Sequence, residues 1–97
     1  TIITRHEWLN QTVYALHVHL SRSSLDSWKV GDTFDAGAVL AWLGCEEENG
    51  GWNSHLHFQL SLIEPTTHDL PGAVNRKDRP WALRAFPDPK LVLGPLY

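Results

Sequence analysis

Two segments of this chain alternate in a way that strongly constrains its fold. Successive side chains of a β-strand point to opposite faces, so residues two apart share a face. Residues 12–21, TVYALHVHLS, place apolar side chains on one face: Tyr14, Leu16, Val18 and Leu20. Residues 55–62, HLHFQLSL, do the same: Leu56, Phe58, Leu60 and Leu62. The matched alternation predicts two strands whose apolar stripes are buried together in one core.

The opposite face of each predicted strand carries a pair of histidines. His17 and His19 lie in the first segment, and His55 and His57 lie in the second. A single histidine on a polar strand face is most often solvated or hydrogen-bonded, but two such pairs favour a functional cluster. Imidazole is the commonest metal ligand and the usual general base near neutral pH. A catalytic zinc ion takes three protein ligands and a water. We therefore expect these histidines to converge on one polar face.

Length and charge narrow the class of protein. The chain has 97 residues, a net charge of −3 and no block of basic residues. These features favour one small domain and argue against a nucleic-acid or anionic-membrane surface. No apolar run approaches the roughly 20 residues that a membrane span needs. The single cysteine, Cys45, excludes an internal disulfide framework, and nothing pairs it with a base as a nucleophile would require.

The chain divides into a β-rich part and a proline-rich tail. TIITR favours a short strand, SRSSLDSW a loop or one short helical turn, and VGD and DAG two turns. All six prolines follow residue 63, so residues 64–97 are typical of an irregular tail with one helical turn around Trp81 to Leu83. We expect a single, mainly-β domain over residues 1–97, with its β core in residues 1–63.

Three ordered motifs resemble the lysostaphin-type (LytM-like) zinc endopeptidases, which cut peptide cross-links in bacterial peptidoglycan. HVHLS, VGDTFDAGAVLAWLG and HLHFQ follow one another at family-like spacing, and the resemblance covers residues 1 to about 63. It implies a compact antiparallel β-barrel or sandwich of the duplicated hybrid motif type, with an open groove. It also implies zinc-assisted hydrolysis of a peptide bond and a peptide or peptidoglycan-type ligand.

The resemblance carries over to individual residues. His57 matches the family's third zinc ligand, and His55 and His19 match the histidines that handle protons or stabilise the oxyanion. His17 stands where the family usually has an aromatic residue, so it inherits no role. The family's first two zinc ligands come from an upstream H-x-x-x-D motif that this sequence lacks. Residues 6–10, HEWLN, have H-x-x-x-N spacing, but we expect His6 to be a turn residue after the first strand and His68 to be solvated in the tail.

The missing motif decides how far the resemblance extends to function. We expect a zinc site that is incomplete in this chain, and a domain that is truncated at its N-terminus and inactive in isolation. The alternative is a non-catalytic binding or interaction module that keeps the fold without zinc. Strand edges left open by a missing portion would promote pairing with a second copy, so we expect a homo-oligomer.

Two further patterns bear on location and ligand. The tail segment DLPGAVNRKDRPWALRAFPDPKLVLG resembles the end of a peptidase-like domain found between kinase-like and class III aminotransferase domains in large bacterial proteins. That resemblance implies a cytoplasmic location, whereas a secreted cell-wall hydrolase as parent would place the chain outside the cytoplasm. The aromatic residues either line a peptide or glycan groove or pack as core and lid: Trp28, Trp42, Trp52 and Trp81. Asn49 and Trp52 flank the histidine strand and are candidates for shaping such a groove.

Overall fold

A computed structural model describes residues 1–66 and 76–94 of this chain. Their regular elements are short, and the longest is a strand of eight residues. In chain order the elements are β1 (Ile2–Trp8), β2 (Gln11–Val18), α1 (Arg22–Asp26), a 3-10 helix (Glu46–Glu48), β3 (His57–Ser61), α2 (Arg79–Ala85) and α3 (Lys90–Leu93). No helix within these residues is long and apolar enough to cross a membrane.

The chain forms two compact units, and each draws on separate parts of the sequence. The first unit contains Thr1–Ile2 and His17–His57. The second unit contains Ile3–Leu16 and the described residues from Phe58 onward. The three strands lie mainly in the second unit, and the loops between β2 and β3 make up most of the first.

The strands form one antiparallel sheet in the order β1-β2-β3. Leu9 and Asn10 connect β1 to β2, with φ of 52° and 62°. Positive φ at both central residues is the geometry of a type I′ turn, whose twist matches that of the flanking strands. The sheet and the few short helices agree with a mainly-β chain, and the sheet is not closed within the part of the chain described here.

The core of the second unit lies on one face of this sheet. Val13 and Ala15 of β2 and Leu60 of β3 are buried there as one cluster. Phe58 and Leu62 are partly buried and pack against that cluster. Neighbouring side chains on adjacent strands share a face, so these contacts establish which face of β2 meets the apolar stripe of β3.

The expected pairing of the two apolar stripes is therefore wrong. Leu60 packs with Val13 and Ala15, on the face of β2 opposite to Leu16. Both faces of β2 are apolar along this stretch, since Leu16 is 1% exposed and Ala15 is 4% exposed. Alternation alone could not decide between two apolar faces. Leu56 also departs from expectation, because it precedes β3 and is 47% exposed.

The opposite face of β3 ends in a buried hydroxyl. Ser61 is fully buried, and its Oγ donates to the Ile63 carbonyl at 2.7 Å and accepts from the Ile63 N–H at 3.0 Å. The next residue, Leu62, donates its N–H to the carbonyl of Ala85 at the end of α2. The predicted single turn around Trp81 is thus a two-turn helix, and its last residue accepts a hydrogen bond from the residue that follows β3.

The first unit is organised around α1 and the chain that runs beside it. Ser21 caps α1 by accepting the Ser24 N–H, and its own N–H donates to the Trp42 carbonyl at 2.9 Å. The Trp28 indole N–H donates to the Leu40 carbonyl at 2.7 Å. The predicted turns are confirmed, with Gly31 and Gly37 at positive φ. These bonds fix the segment that leads to the histidine-bearing loops.

Sequence patterns also gave expectations for His6 and His68. His6 lies within β1 rather than in a turn after it, and its Nε2 lies 2.7 Å from the Thr4 hydroxyl. The expectation of a turn residue is wrong because β1 extends three residues beyond TIITR, to Trp8. His68 lies outside the described residues.

Candidate functional site: a cluster of three histidines

His19 lies immediately after β2 with its backbone in the left-handed region. Its φ is +67°, which a non-glycine residue rarely adopts and histidine adopts more often than most. Strand alternation therefore stops at Val18, and the face of His17 does not determine where the His19 side chain points. The carbonyl of His19 accepts the Gly44 N–H at 2.7 Å, and the next residue, Leu20, forms an antiparallel bridge with Leu43.

Gly44 contacts both segments that carry the histidines. A Cβ at this position would lie 3.0 Å from the His19 carbonyl oxygen and 3.1 Å from that of Leu20. The absence of a side chain at Gly44 is what lets the two backbones approach so closely. The Gly44 carbonyl accepts the Ser54 hydroxyl at 2.8 Å. One glycine thus ties the backbone of His19 to the residue that precedes His55.

His55 lies in the loop just before β3, and its ring is oriented by a backbone carbonyl. Its Nδ1 lies 2.6 Å from the Asn53 carbonyl oxygen. Because a carbonyl only accepts, Nδ1 carries the proton. In the neutral ring, Nε2 then holds a lone pair that is available to accept a proton or to bind a ligand.

The three imidazoles predicted to converge lie next to one another in the first unit. The ring centroids of His19 and His55 are 4.6 Å apart, with planes tilted by 48°. Those of His19 and His57 are 6.0 Å apart, with a tilt of 53°. His19 is thus the neighbour of both members of the HLH motif. The fourth histidine, His17, has its Nδ1 3.2 Å from the Ile2 carbonyl oxygen.

The cluster favours neutral imidazole at its centre. Partial burial lowers the pKa of His19 from its ordinary value, and the neighbouring His55 and His57 lower it further, as does the amino group of Thr1. A positive charge on His19 is disfavoured by burial and by these neighbouring basic groups, so the neutral form of His19 is preferred. Near neutral pH His19 is therefore a proton acceptor rather than a cation.

An open depression of about 430 Å³ borders the cluster, lined by His19, Asn49, Trp52, Asn53 and His55. Trp52 contributes an indole that is 70% exposed, whereas Asn49 is 5% exposed. An exposed aromatic ring beside two imidazoles offers stacking area and hydrogen-bonding atoms in one place. The depression is therefore a candidate ligand surface.

The described residues do not make a metal site on their own. Among residues 1–66 and 76–94, no three His, Cys, Asp or Glu side chains are grouped so that they could hold a metal ion. A catalytic zinc takes about three protein ligands. Within the described part of the chain the cluster is therefore a set of neighbouring imidazoles rather than a grouped ligand set of that size.

Cys45 lies near the site but has the wrong chemistry for a nucleophile. Its Sγ donates to Glu48 Oε1 at 3.2 Å. Hydrogen bonds to the side chains of Glu47 and Glu48 raise the pKa of the Cys45 thiol. The reactive form of cysteine is the thiolate, and these acidic neighbours disfavour it.

The sequence indicated the three histidines and the flanking Asn49 and Trp52 but missed Gly44 and the carbonyl of Asn53. Gly44 left a weak signal, a glycine between an apolar run and a polar loop. A carbonyl group leaves none, because every residue has one. Comparisons with protein-family models, curated proteins and solved structures found no match to this chain.

Proposed function

We propose that this chain is a peptidase-like domain of the lysostaphin type whose function centres on His19, His55 and His57. The observation that carries the proposal is the convergence of three rings from the separate HLS and HLHF motifs, with His19 4.6 Å from His55 and 6.0 Å from His57. The proposal includes the fold, in which the three-stranded sheet is part of an antiparallel β-barrel or sandwich. It also includes the cytoplasmic location that the tail resemblance implies.

Peptide hydrolysis needs a group that takes a proton from water and a group that returns one to the leaving amine. His55 presents an Nε2 lone pair to one side of the depression, because its Nδ1–H is held by the Asn53 carbonyl. His19 is the adjacent imidazole with a lowered pKa. A His55 ring with its Nδ1–H engaged and a His19 ring with a lowered pKa, both beside a ligand-sized depression, support proton transfer as the role of this pair.

Zinc enters the proposal through His57 alone. In the resembled family a zinc ion polarises the peptide carbonyl, and His57 matches one of its ligands. We propose that this chain binds zinc weakly by itself, since one matching ligand is fewer than the three that a catalytic site takes. Binding would weaken further in acidic solution, because a protonated imidazole cannot act as a ligand.

The zinc part is tested by calorimetric titration of zinc into the chain, into a His57→Ala variant and into a His6→Ala variant. His6 serves as the matched control because it removes an imidazole from β1 rather than from the cluster. We expect weak binding that His57→Ala abolishes and His6→Ala preserves. Tight stoichiometric binding by the wild-type chain would overturn the incompleteness of the site, and unchanged binding in His57→Ala would remove His57 from the ligand set.

A second function, a non-catalytic binding module, is favoured by the exposure of Trp52. A 70% exposed indole on the wall of the depression suits stacking on a peptide or glycan and needs no metal. The two functions differ in their dependence on zinc and in the fate of the ligand. A binding module holds a peptidoglycan-type cross-link peptide equally well in the presence of a chelator and leaves it intact.

The discriminating experiment follows the same cross-link peptide by NMR and mass spectrometry, with zinc and with a chelator. The peptidase-like proposal predicts shifts of the His19 and His55 ring protons, with slow zinc-dependent cleavage when missing ligands are supplied by a longer chain. Chelator-resistant binding that Trp52→Ala abolishes, without cleavage, would establish the binding module instead. Absence of any shift at His19 and His55 would count against both.

A further inference from the structure

Asn49 is a buried amide at the base of the loop that precedes the HLH motif. Its side chain is 5% exposed and uses both ends of the amide. Oδ1 accepts the backbone N–H of Trp52 at 3.0 Å, and Nδ2 donates to the carbonyl of Asn53 at 3.2 Å. A buried amide with both ends bonded holds its partners at fixed positions, because breaking either bond leaves a polar group unpaired.

The carbonyl of Asn53 connects the Asn49 side chain to the histidine cluster. It accepts two hydrogen bonds, one from Asn49 Nδ2 at 3.2 Å and one from His55 Nδ1 at 2.6 Å. A carbonyl oxygen has two lone pairs, so it accepts both without competition. Asn49 therefore holds this oxygen in place, and the oxygen in turn orients the ring of His55 through its hydrogen bond to Nδ1.

We propose that Asn49 is a positioning residue that acts through the Asn53 carbonyl to hold His55 with its proton on Nδ1 and a lone pair on Nε2. The inference deepens the proposed function, because that lone pair makes His55 a proton acceptor. With the tautomer reversed, Nε2 would carry the proton and His55 could not take another there. Asn49 acts on His55 through the Asn53 carbonyl and itself neither gives nor takes the proton, so its part is to position rather than to catalyse.

The tautomer is measured directly by ¹⁵N NMR of the imidazole rings at pH about 8, where unperturbed imidazole is neutral. In the wild-type chain we expect His55 to show a protonated Nδ1 and an unprotonated Nε2. In Asn49→Asp and Asn49→Ala we expect the ratio of the two His55 tautomers to fall, by about fivefold where the released Asn53 carbonyl costs His55 its own hydrogen bond of about 1 kcal/mol. Asn49→Asp is nearly isosteric and keeps the acceptor for the Trp52 N–H, whereas Asn49→Ala removes that acceptor as well.

Two matched controls remove groups from the same loop without touching the Asn53 carbonyl. Asn53→Ala removes a side chain but leaves the carbonyl, and Ser54→Ala removes the hydroxyl that donates to Gly44. Both are expected to retain the His55 tautomer of the wild type. His17, whose Nδ1 donates to the Ile2 carbonyl, is an internal reference that stays unchanged in every variant.

Two results would overturn the inference. One is a protonated Nε2 on His55 in the wild-type chain. The other is a folded Asn49→Asp variant whose His55 tautomer matches the wild type. Neither depends on zinc binding or on peptide cleavage, so failure of the proposed function leaves this test intact. Conversely, a peptide-binding chain with the wrong tautomer would reject the role of Asn49 alone.

Discussion

The ring centroids of His19 and His55 lie 4.6 Å apart, although 35 residues lie between them in the sequence. Gly44 links the two segments, because its N–H donates to the His19 carbonyl and its own carbonyl accepts the side-chain hydroxyl of Ser54, the residue before His55. The proximity of the rings thus depends on the chain around Gly44.

Substitution at Gly44 should disturb the histidine pair. In Gly44→Ala the new Cβ meets backbone oxygens of His19 and Leu20 at 3.0 Å and 3.1 Å, which is closer than real Cβ contacts normally are. We expect a loss of about 1–3 kcal/mol in the free energy of unfolding, typical of overpacking. Nuclear Overhauser contacts between the His19 and His55 rings should weaken at the same time.

Gly31→Ala is the matched control for this glycine. Gly31 has φ of +97° but no atoms within 4 Å of a new Cβ. The substitution should cost roughly 1–2 kcal/mol through backbone strain alone and should leave the contacts between the rings intact. Equal weakening of the ring contacts in both variants would mean that Gly44 has no special part in the cluster.

The core assignment predicts different results for two leucines of the same predicted stripe. Leu60 is 3% exposed in the cluster with Val13 and Ala15, so Leu60→Ala should cost about 2–5 kcal/mol. Leu56 is 47% exposed, and Leu56→Ala should change stability by no more than about 0.5 kcal/mol. Urea denaturation of both variants measures the difference. Similar losses would restore the continuous stripe expected from the sequence.

The lowered pKa of His19 predicts how stability changes with pH. In the unfolded chain His19 titrates near 6.5, and in the folded chain its pKa is lower. Between these two values the unfolded chain binds more protons, so the free energy of unfolding rises with pH. The contribution of His19 is most favourable above pH 6.5 and is lost as the pH falls toward the folded pKa.

Urea midpoints at pH 8 and pH 5.5 test this prediction in the wild type and in His19→Gln. The decrease in stability on acidification should be smaller in the variant, because glutamine does not titrate. The chosen range lies above the ordinary pKa of 4.5 for Glu47 and Glu48, whose lowered pKa values affect stability in more acidic solution. An unchanged decrease in His19→Gln would assign the effect to other histidines.

The open sheet predicts self-association. β1 and β3 are its outer strands within the described residues, and an outer strand can pair with another chain. Light scattering at high concentration should therefore show species larger than a monomer. Ile3→Lys places a charge on β1 and should reduce association, whereas Leu9→Lys places the same charge in the turn and should not. A purely monomeric wild-type chain would reject the prediction.

Much of the local structure could be predicted from short sequence patterns, and the rest depended on contacts between residues far apart in the sequence. The strand around Val13 to Leu16 and the turns at Gly31 and Gly37 follow from local patterns. SRSSLDSW allowed a loop or a short helical turn and forms α1, and the single turn expected around Trp81 is the longer helix α2. The face of β2 that meets Leu60 does not, because both faces carry apolar residues. The position of His19 depends on a left-handed backbone and on a hydrogen bond to Gly44, which is 25 positions further along the chain.

The turn at Leu9 and Asn10 has a consequence for the order in which the chain folds. It joins neighbouring strands with only two residues, so β1 and β2 can meet on the microsecond timescale of an isolated hairpin. β3 reaches β2 only after the long segment from His19 to Leu56 closes, and closing a longer loop loses more chain entropy. Substitutions in the turn should then alter the folding rate, while Leu60→Ala should mainly accelerate unfolding. Stopped-flow chevron plots measure both rates. They would show the reverse pattern if β3 paired with β2 before β1 did. The three histidines would accordingly assemble last, in the same step that completes the sheet.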